Sequence, residues 1–293
     1  MKMTSSDHIL YKFCQKHSIA FHSINYNREK HDGNVSAIFL RPLTQCKGLA
    51  LFAHATGNDH SFPQVTLFKN LLKADYALFS FDLDGHGLNS TTKFTHKRIR
   101  SSLSQAVREA RKHEPKLPIH LIGQSLGGAL ILDYVANNKH NIQSLSLIGV
   151  PIYLTLKPNA YINELISLAS HSMRKEIITY GPWGIIPAFG AFKRNTFPLR
   201  TFSSLPRSSK LEYVDEVMST LEDINLVESA KKIKTPTLLC YGNRDKIAPV
   251  EHGELLFENL SESHLVTVFN ETHFSLGFSE ESISKIINWL NKH

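Results

Sequence analysis

A serine flanked by glycines lies near the middle of the chain, in the segment Gly123-Gln124-Ser125-Leu126-Gly127-Gly128. The apolar run 118–122 before it is typical of a buried strand, and the run 129–136 after it is long enough for a buried helix. A Gly-x-Ser-x-Gly string alone also occurs by chance in exposed loops. Between a strand and a helix, however, it predicts a sharp turn that presents the serine hydroxyl as a nucleophile above the carboxyl edge of a sheet.

Such a serine needs two partners, because a hydroxyl is a weak nucleophile at neutral pH. A histidine must accept its proton, and a carboxylate must orient that histidine. The strand-like run 235–241 leads into a Gly-Asn turn that ends at Asp245, and the strand-like run 265–269 is followed by His273. The predicted catalytic residues are therefore Ser125, Asp245 and His273.

Four segments, taken together, resemble those of the α/β-hydrolase superfamily, in particular its esterase, lipase and lysophospholipase branch, which includes the monoacylglycerol lipases. They are His54-Ala55-Thr56-Gly57, Asp82-Leu83-Asp84-Gly85-His86-Gly87, the serine segment, and Gly242-Asn243-Arg244-Asp245 with Thr272-His273. The resemblance implies the α/β-hydrolase fold, a mostly parallel central sheet flanked by helices, and hydrolysis of carboxylic esters. It also implies an oxyanion hole formed by the backbone N–H groups of Thr56 and Leu126.

The chain departs from the family pattern at two positions. Ala55 replaces a glycine in the loop that supplies one oxyanion donor, which raises the question of its backbone angles. Asp84 stands where the family often has arginine, and we expect this change to remove a cation from the region near the serine.

Two other residues compete for the catalytic roles. Some relatives in the superfamily carry the acid after the preceding strand, which makes Asp223 an alternative, but it lies in a helix-like run and Asp245 is preferred. His86 lies between two glycines and is better explained as a turn residue, since His273 follows a strand as the chemistry requires.

Strand-like and helix-like segments alternate over 1–150 and 235–293, which predicts one hydrolase core with a sheet covered on both faces. The first two strands, 21–29 and 34–41, are expected to form an antiparallel hairpin at the sheet edge. Between 151 and 234 the alternation stops, and we predict a helical cap that roofs the site. Its aromatic residues favour an apolar acyl pocket with a basic exterior, although any single one is better assigned to the cap's own core.

Composition limits the possible partners. The chain has 293 residues, 42% of them hydrophobic, and a formal charge of +7. Lysine and arginine are dispersed and no recognition module is evident, so we expect no nucleic-acid binding but weak association with anionic membrane surfaces. Three widely spaced cysteines and an N-terminus without a secretion signal favour a cytoplasmic protein. The 16 histidines show no metal-ligand spacing, so neither a metal nor another cofactor is predicted.

The sequence thus predicts a serine hydrolase that cleaves small or lipid-like acyl esters through an acyl-enzyme. Two alternatives remain open: a thioesterase or acyltransferase with the same triad, and a ligand-binding receptor on a hydrolase fold. A dehalogenase or epoxide hydrolase would need aspartate in place of Ser125. The natural substrate and the oligomeric state are not determined by the sequence.

Overall fold

The structure is a computed structural model that describes residues 3–29, 33–89, 96–139, 141–153 and 207–293. Among these residues, eight strands form one sheet in the order β1-β2-β4-β3-β5-β6-β7-β8. The strands are β1 (Ile19–Asn27), β2 (Asn34–Pro42), β3 (Gly48–Ala53), β4 (Tyr76–Phe81), β5 (Ile119–Gln124), β6 (Ile142–Ile148), β7 (Thr237–Gly242) and β8 (Ser263–Val268). β1 and β2 form the predicted antiparallel edge hairpin, and all pairs from β4 to β8 are parallel.

Helices lie on both faces of this sheet. Within the described ranges they are α1 (Ser5–Lys16), α2 (Val65–Lys73), α3 (His96–His113), α4 (Leu126–Asn137), α5 (Arg207–Asp223), α6 (Leu226–Lys232), α7 (Val250–Asn259) and α8 (Glu280–Lys292). Successive residues of β3 alternate between two buried clusters: Leu49 and Leu51 belong to one, and Ala50 and Phe52 to the other. Because both faces are buried, β3 is apolar throughout, as strands of covered parallel sheets are. The predicted fold class is confirmed.

Most predicted elements have nearly the predicted bounds. The sequence pattern predicts a strand at 48–53 and a helix at 96–113, and β3 and α3 have these bounds. It also predicts a strand at 144–150, whereas β6 begins two residues earlier, at Ile142. Sequence reasoning missed α1, α6 and α7. A signal for α1 was present, because Thr4 and Asp7 form a capping box at its start.

The predicted cap, 151–234, falls mostly outside the described residues, so its boundaries and its acyl pocket stay predictions. The sequence predicts a helical run at 210–217 near the carboxyl-terminal end of the cap, and α5 includes these residues. α6 follows it. Within the described part of the chain, no helix combines the length and the apolar character that a membrane span requires.

Candidate active site

Ser125 forms a strained turn between β5 and α4. Its φ of 50° and ψ of −117° lie in a region that non-glycine residues rarely adopt. The Ser125 N–H donates to the carbonyl of Ile148 at the end of β6, at 2.9 Å, which ties the turn to the neighbouring strand. The side chain therefore projects at the carboxyl edge of the sheet, as the sequence predicted.

The glycines around Ser125 are needed for close packing. A Cβ on Gly127 would lie 2.1 Å from the carbonyl oxygen of Ala53, and a Cβ on Gly123 would lie 2.7 Å from the backbone of Gly128. Real side chains do not tolerate such distances, so these positions require glycine. Their absence of side chains lets β5, α4 and the end of β3 meet at one point.

Ser125, His273 and Asp245 are brought together at this edge. His273 Nε2 lies 3.0 Å from Ser125 Oγ, and His273 Nδ1 lies 2.8 Å from Asp245 Oδ2. Since the carboxylate accepts the Nδ1–H, the lone pair of Nε2 faces the serine hydroxyl. All three residues are buried, with exposed fractions between 4% and 6%. The arrangement suits proton transfer from the hydroxyl to the imidazole.

The Asp245 carboxylate is itself held in place. Its second oxygen, Oδ1, accepts the backbone N–H groups of Ile247 at 2.9 Å and Ala248 at 2.7 Å. These two bonds fix the direction of the carboxylate toward His273. Asp245 is thus the carboxylate that contacts His273 Nδ1, while the competing Asp223 lies at the end of α5.

Sequence reasoning gave no role to Gly149, which follows β6. Its φ is +53°, and a Cβ there would lie 3.2 Å from Asp245 Oδ2 and 3.3 Å from His273 Nδ1. A side chain would crowd the hydrogen bond between the two catalytic candidates. The available signal was a glycine directly after a buried strand at the carboxyl edge.

The two predicted oxyanion donors lie on different elements. Leu126 is the first residue of α4, where backbone N–H groups have no intrahelical acceptor and the helix dipole favours negative charge. Thr56 lies in the loop after β3. Ala55 avoids the left-handed region, whereas Gly57 has a φ of +81°. The replacement of glycine by Ala55 therefore causes no backbone strain, because the positive φ of this loop falls on Gly57.

The neutral side chain of His54 connects this loop to the segment after β4. Leu83 N–H donates to His54 Nε2 at 3.0 Å, so the proton resides on Nδ1, which lies 2.8 Å from the carbonyl oxygen of Ala55. Complete burial lowers the pKa of His54 to about 4. His86 packs edge-on against His54, and burial lowers its pKa to about 3. His86 is a buried turn residue, consistent with the sequence interpretation.

Asp84, where we expected the loss of a cation, holds a buried carboxylate that is paired with arginine. The Asp84 side chain is fully buried and pairs with Arg28, and Arg98 Nε lies 3.6 Å from its second oxygen. Guanidinium groups from two other segments thus offset the charge of this buried carboxylate. Sequence reasoning missed this because Arg28 is distant from Asp84 along the chain.

Comparisons with known proteins agree with this architecture. The family model described as serine aminopeptidase, S33, matches residues 44–188. The chain is 25% identical to the monoglyceride lipase of Homo sapiens over 247 residues, which cover 80% of this chain and 79% of the lipase. It is 24% identical to a monoacylglycerol lipase of Rattus norvegicus over 168 residues, covering 54% of this chain and 50% of that protein.

Solved structures show the same fold. An esterase of Pyrococcus furiosus superposes with a TM-score of 0.62 at 17% identity, covering 95% of this chain and 93% of that one. A carboxyl esterase of Bacillus coagulans gives a TM-score of 0.62 at 15% identity, with coverages of 93% and 98%. The chain belongs to the α/β-hydrolase superfamily. Within it, the chain is a serine ester hydrolase of the esterase and lipase type.

Proposed function

We propose that Ser125 is the nucleophile of a two-step acyl transfer. Its Oγ attacks the ester carbonyl carbon while His273 Nε2 accepts the hydroxyl proton, and the tetrahedral oxyanion is held by the N–H groups of Leu126 and Thr56. Collapse of this intermediate expels the alcohol, which takes the proton from His273. Water then attacks the acyl-enzyme by the same route and regenerates Ser125.

The observation that carries this mechanism is the contact of both His273 ring nitrogens with their partners. A serine at 3.0 Å on one side and a carboxylate at 2.8 Å on the other supply a base of the correct tautomer. Asp245 stabilises the imidazolium that forms during the reaction. The fixed carboxylate also keeps the ring from rotating away from the serine.

We further propose a small or single-chain lipid-like ester as the substrate. Two of the relatives act, by name, on monoglycerides or monoacylglycerols. The aromatic residues predicted for the cap are consistent with an apolar acyl pocket; they are Tyr153, Tyr161, Tyr180, Trp183, Phe189, Phe192, Phe197 and Phe202. A thioesterase or an acyltransferase would use the same three residues and differ in the leaving group or the acceptor.

A cytoplasmic location with weak attraction to anionic membranes completes the proposal. The three cysteines are free and buried, as reduced thiols are in such a compartment. Burial raises the pKa of Cys14 to about 11 and that of Cys240 to about 12, which makes these thiols unreactive. The formal charge of +7 supports electrostatic association with an anionic surface.

The test is Ser125→Ala beside the control Ser146→Ala. Ser146 is a fully buried serine of β6 whose hydroxyl has no hydrogen-bond partner among the described residues. Ser125→Ala should lose fluorophosphonate labelling and about 10⁶ in turnover of p-nitrophenyl butyrate, while the control keeps both. Labelling that persists in Ser125→Ala would remove the nucleophile assignment. A wild type that binds esters tightly without turnover would favour the receptor alternative.

A further inference from the structure

The loop that carries Thr56 is attached at both ends by histidines. At its start His54 accepts the N–H of Leu83, as described above. At its end the ring of His60 lies between two carboxylates: Nδ1 is 2.8 Å from Asp82 Oδ1, and Nε2 is 3.0 Å from Asp7 Oδ1. The mechanism uses none of His60, Asp82 and Asp7, although His60 is only four residues from Thr56 along the chain.

The His60 ring is held as a cation. Both of its nitrogens face carboxylate oxygens, so both must donate. Asp82 and Asp7 raise the pKa of His60 well above its usual value despite burial. The other ionisable groups that face it are Asp59, from its own loop, and the neutral ring of His54. Removal of either carboxylate should destabilise this buried cation.

Backbone contacts make the attachment rigid. The His60 N–H donates to Asp82 Oδ1 at 2.7 Å, and the Ser80 hydroxyl donates to the His60 carbonyl at 2.5 Å. Asp82 Oδ2 accepts the N–H of Leu88 at 2.8 Å, which fixes the carboxylate on the segment after β4. His60 therefore has little freedom to move relative to the sheet edge.

The remaining partner, Asp7, comes from α1 and is only 2% exposed. Its Oδ2 accepts the N–H of Thr4 at 2.7 Å in the capping box of the helix. Thr4 Oγ1 also lies 3.1 Å from Ser61 Oγ. The first turn of α1 thus contacts the end of the Thr56 loop twice, although α1 precedes the residues matched by the family model.

We propose that Asp7 is a positioning residue of the active site: acting through His60, it holds the loop so that the N–H of Thr56 meets the oxyanion. The inference rests on the proposed function. The first turn of α1 then positions the active-site loop, whereas the rest of the helix packs on the core. Loss of the Asp7 charge frees the His60 ring at one side and loosens the end of the loop.

The test compares Asp7→Asn with Cys14→Ala on p-nitrophenyl butyrate. Cys14 is buried on the same helix, so its truncation weakens α1 packing without changing the His60 ring partners. For Asp7→Asn we expect kcat to fall about tenfold with KM changed less than about twofold, because an oxyanion donor acts in the transition state. For Cys14→Ala, kcat per folded molecule should stay within about twofold of the wild type.

The pH profile separates positioning from simple structural support. Removing the Asp7 charge lowers the pKa of His60, so the alkaline limb of kcat should move to lower pH in Asp7→Asn and return in Asp7→Glu. If Asp7→Asn left both kcat and the pH of its alkaline limb unchanged, the proposal would be overturned. An equal loss of kcat in Cys14→Ala would do the same.

A measurement on the wild type covers the case in which Asp7→Asn does not fold. Nitrogen NMR should find the His60 ring doubly protonated at pH 8, and a neutral ring would overturn the proposal. Failure of the proposed function is distinguishable, because it shows as fluorophosphonate labelling that survives Ser125→Ala. The two ideas therefore fail in different experiments.

Discussion

The carbonyl oxygen of Ala53 occupies the space where a side chain on Gly127 would begin. An ideal Cβ on Gly127 would lie 2.1 Å from that oxygen. Ala53 ends β3 and Gly127 belongs to the first turn of α4, so this contact joins the two segments that carry Thr56 and Leu126. The spacing of the two proposed oxyanion donors depends on the absence of a single methyl group.

Gly127→Ala should therefore damage both stability and catalysis. Forcing a methyl into this contact costs about 1–3 kcal/mol or more, because backbone rather than a flexible side chain must move. We expect kcat to fall about 10²-fold as the donors separate. Urea unfolding and ester kinetics on the folded fraction measure the two effects.

Gly48→Ala is the matched control for this prediction. Gly48 begins β3, at the opposite end from the site, and a Cβ there would lie 3.0 Å from the His120 ring. It should lose some stability and keep kcat. If Gly127→Ala retained the wild-type kcat, the proposed dependence of the oxyanion donors on this contact would be wrong.

Substitution of the proposed base should reduce kcat more than substitution of the proposed acid. His273→Ala removes the group that accepts the serine proton and should reduce kcat nearly as much as loss of Ser125. Asp245→Asn keeps the size of the side chain but not its charge, so it should retain more activity, with a loss on the order of 10⁴. The measurement is kcat for p-nitrophenyl butyrate at pH 8.

Asp223→Asn serves as the comparison for the acid, because Asp223 was the alternative from sequence. We expect it to stay within about twofold of the wild-type kcat, since Asp245 already accepts the Nδ1–H of His273. A larger loss in Asp223→Asn than in Asp245→Asn would reverse the assignment of the acid.

Local sequence patterns predicted the parts of the fold that depend on local chain properties. β3 is a continuous apolar run and α3 repeats apolar residues at helical spacing, so both had correct bounds. The serine turn was predictable because glycines, strand and helix are contiguous. α1 was missed because its apolar residues are mixed with polar ones, and only the capping box marked its start.

Contacts between distant segments were not predictable in the same way. Asp7 and His60 are 53 residues apart, and His60 and Asp82 are 22 apart. No spacing rule relates such pairs, because they meet only when α1 and the end of β4 have packed on the sheet. The pairing of Asp84 with Arg28 has the same origin. The sequence thus predicted the catalytic candidates better than the groups that support them.

Acid should destabilise the protein through buried neutral histidines. His120 Nδ1 lies 2.8 Å from Ser144 Oγ inside the sheet, and burial lowers its pKa to about 4. Its folded pKa is below the unfolded value of about 6.5, so the unfolded chain binds the proton first as pH falls. The stability it contributes is present above pH 6.5 and is lost between about 6.5 and 4.

His120→Gln should reduce this dependence. The unfolded variant cannot take up the proton that His120 binds as pH falls. The fall in unfolding free energy from pH 7 to pH 5 should therefore be smaller by about 2 kcal/mol in the variant. His54 and His86 keep the remaining dependence in both proteins. Urea titrations at the two pH values provide the numbers. An identical pH dependence in the variant would show that His120 has the same pKa in the folded and unfolded states, and would contradict the effect of burial.

Substrate length tests the lipid-like part of the proposal. Each buried CH₂ group contributes about 0.8 kcal/mol, so two added carbons should raise kcat/KM roughly tenfold until the acyl pocket is full. A series of p-nitrophenyl esters from acetate to palmitate, together with monoacylglycerols, measures this rise. A flat or falling profile beyond acetate would favour a small polar ester. Faster cleavage of the matched acyl thioesters would favour the thioesterase alternative.

Binding of the protein to anionic vesicles at increasing salt concentration tests the electrostatic part of the proposal. A net charge of +7 predicts binding to anionic lipid that weakens as salt rises, because the Debye length falls from about 10 Å at 0.1 M to about 3 Å at 1 M. Neutral vesicles of phosphatidylcholine are the control and should bind less at every salt concentration. Binding that is independent of both salt and lipid charge would remove charge as the cause of association and leave apolar contact as its source.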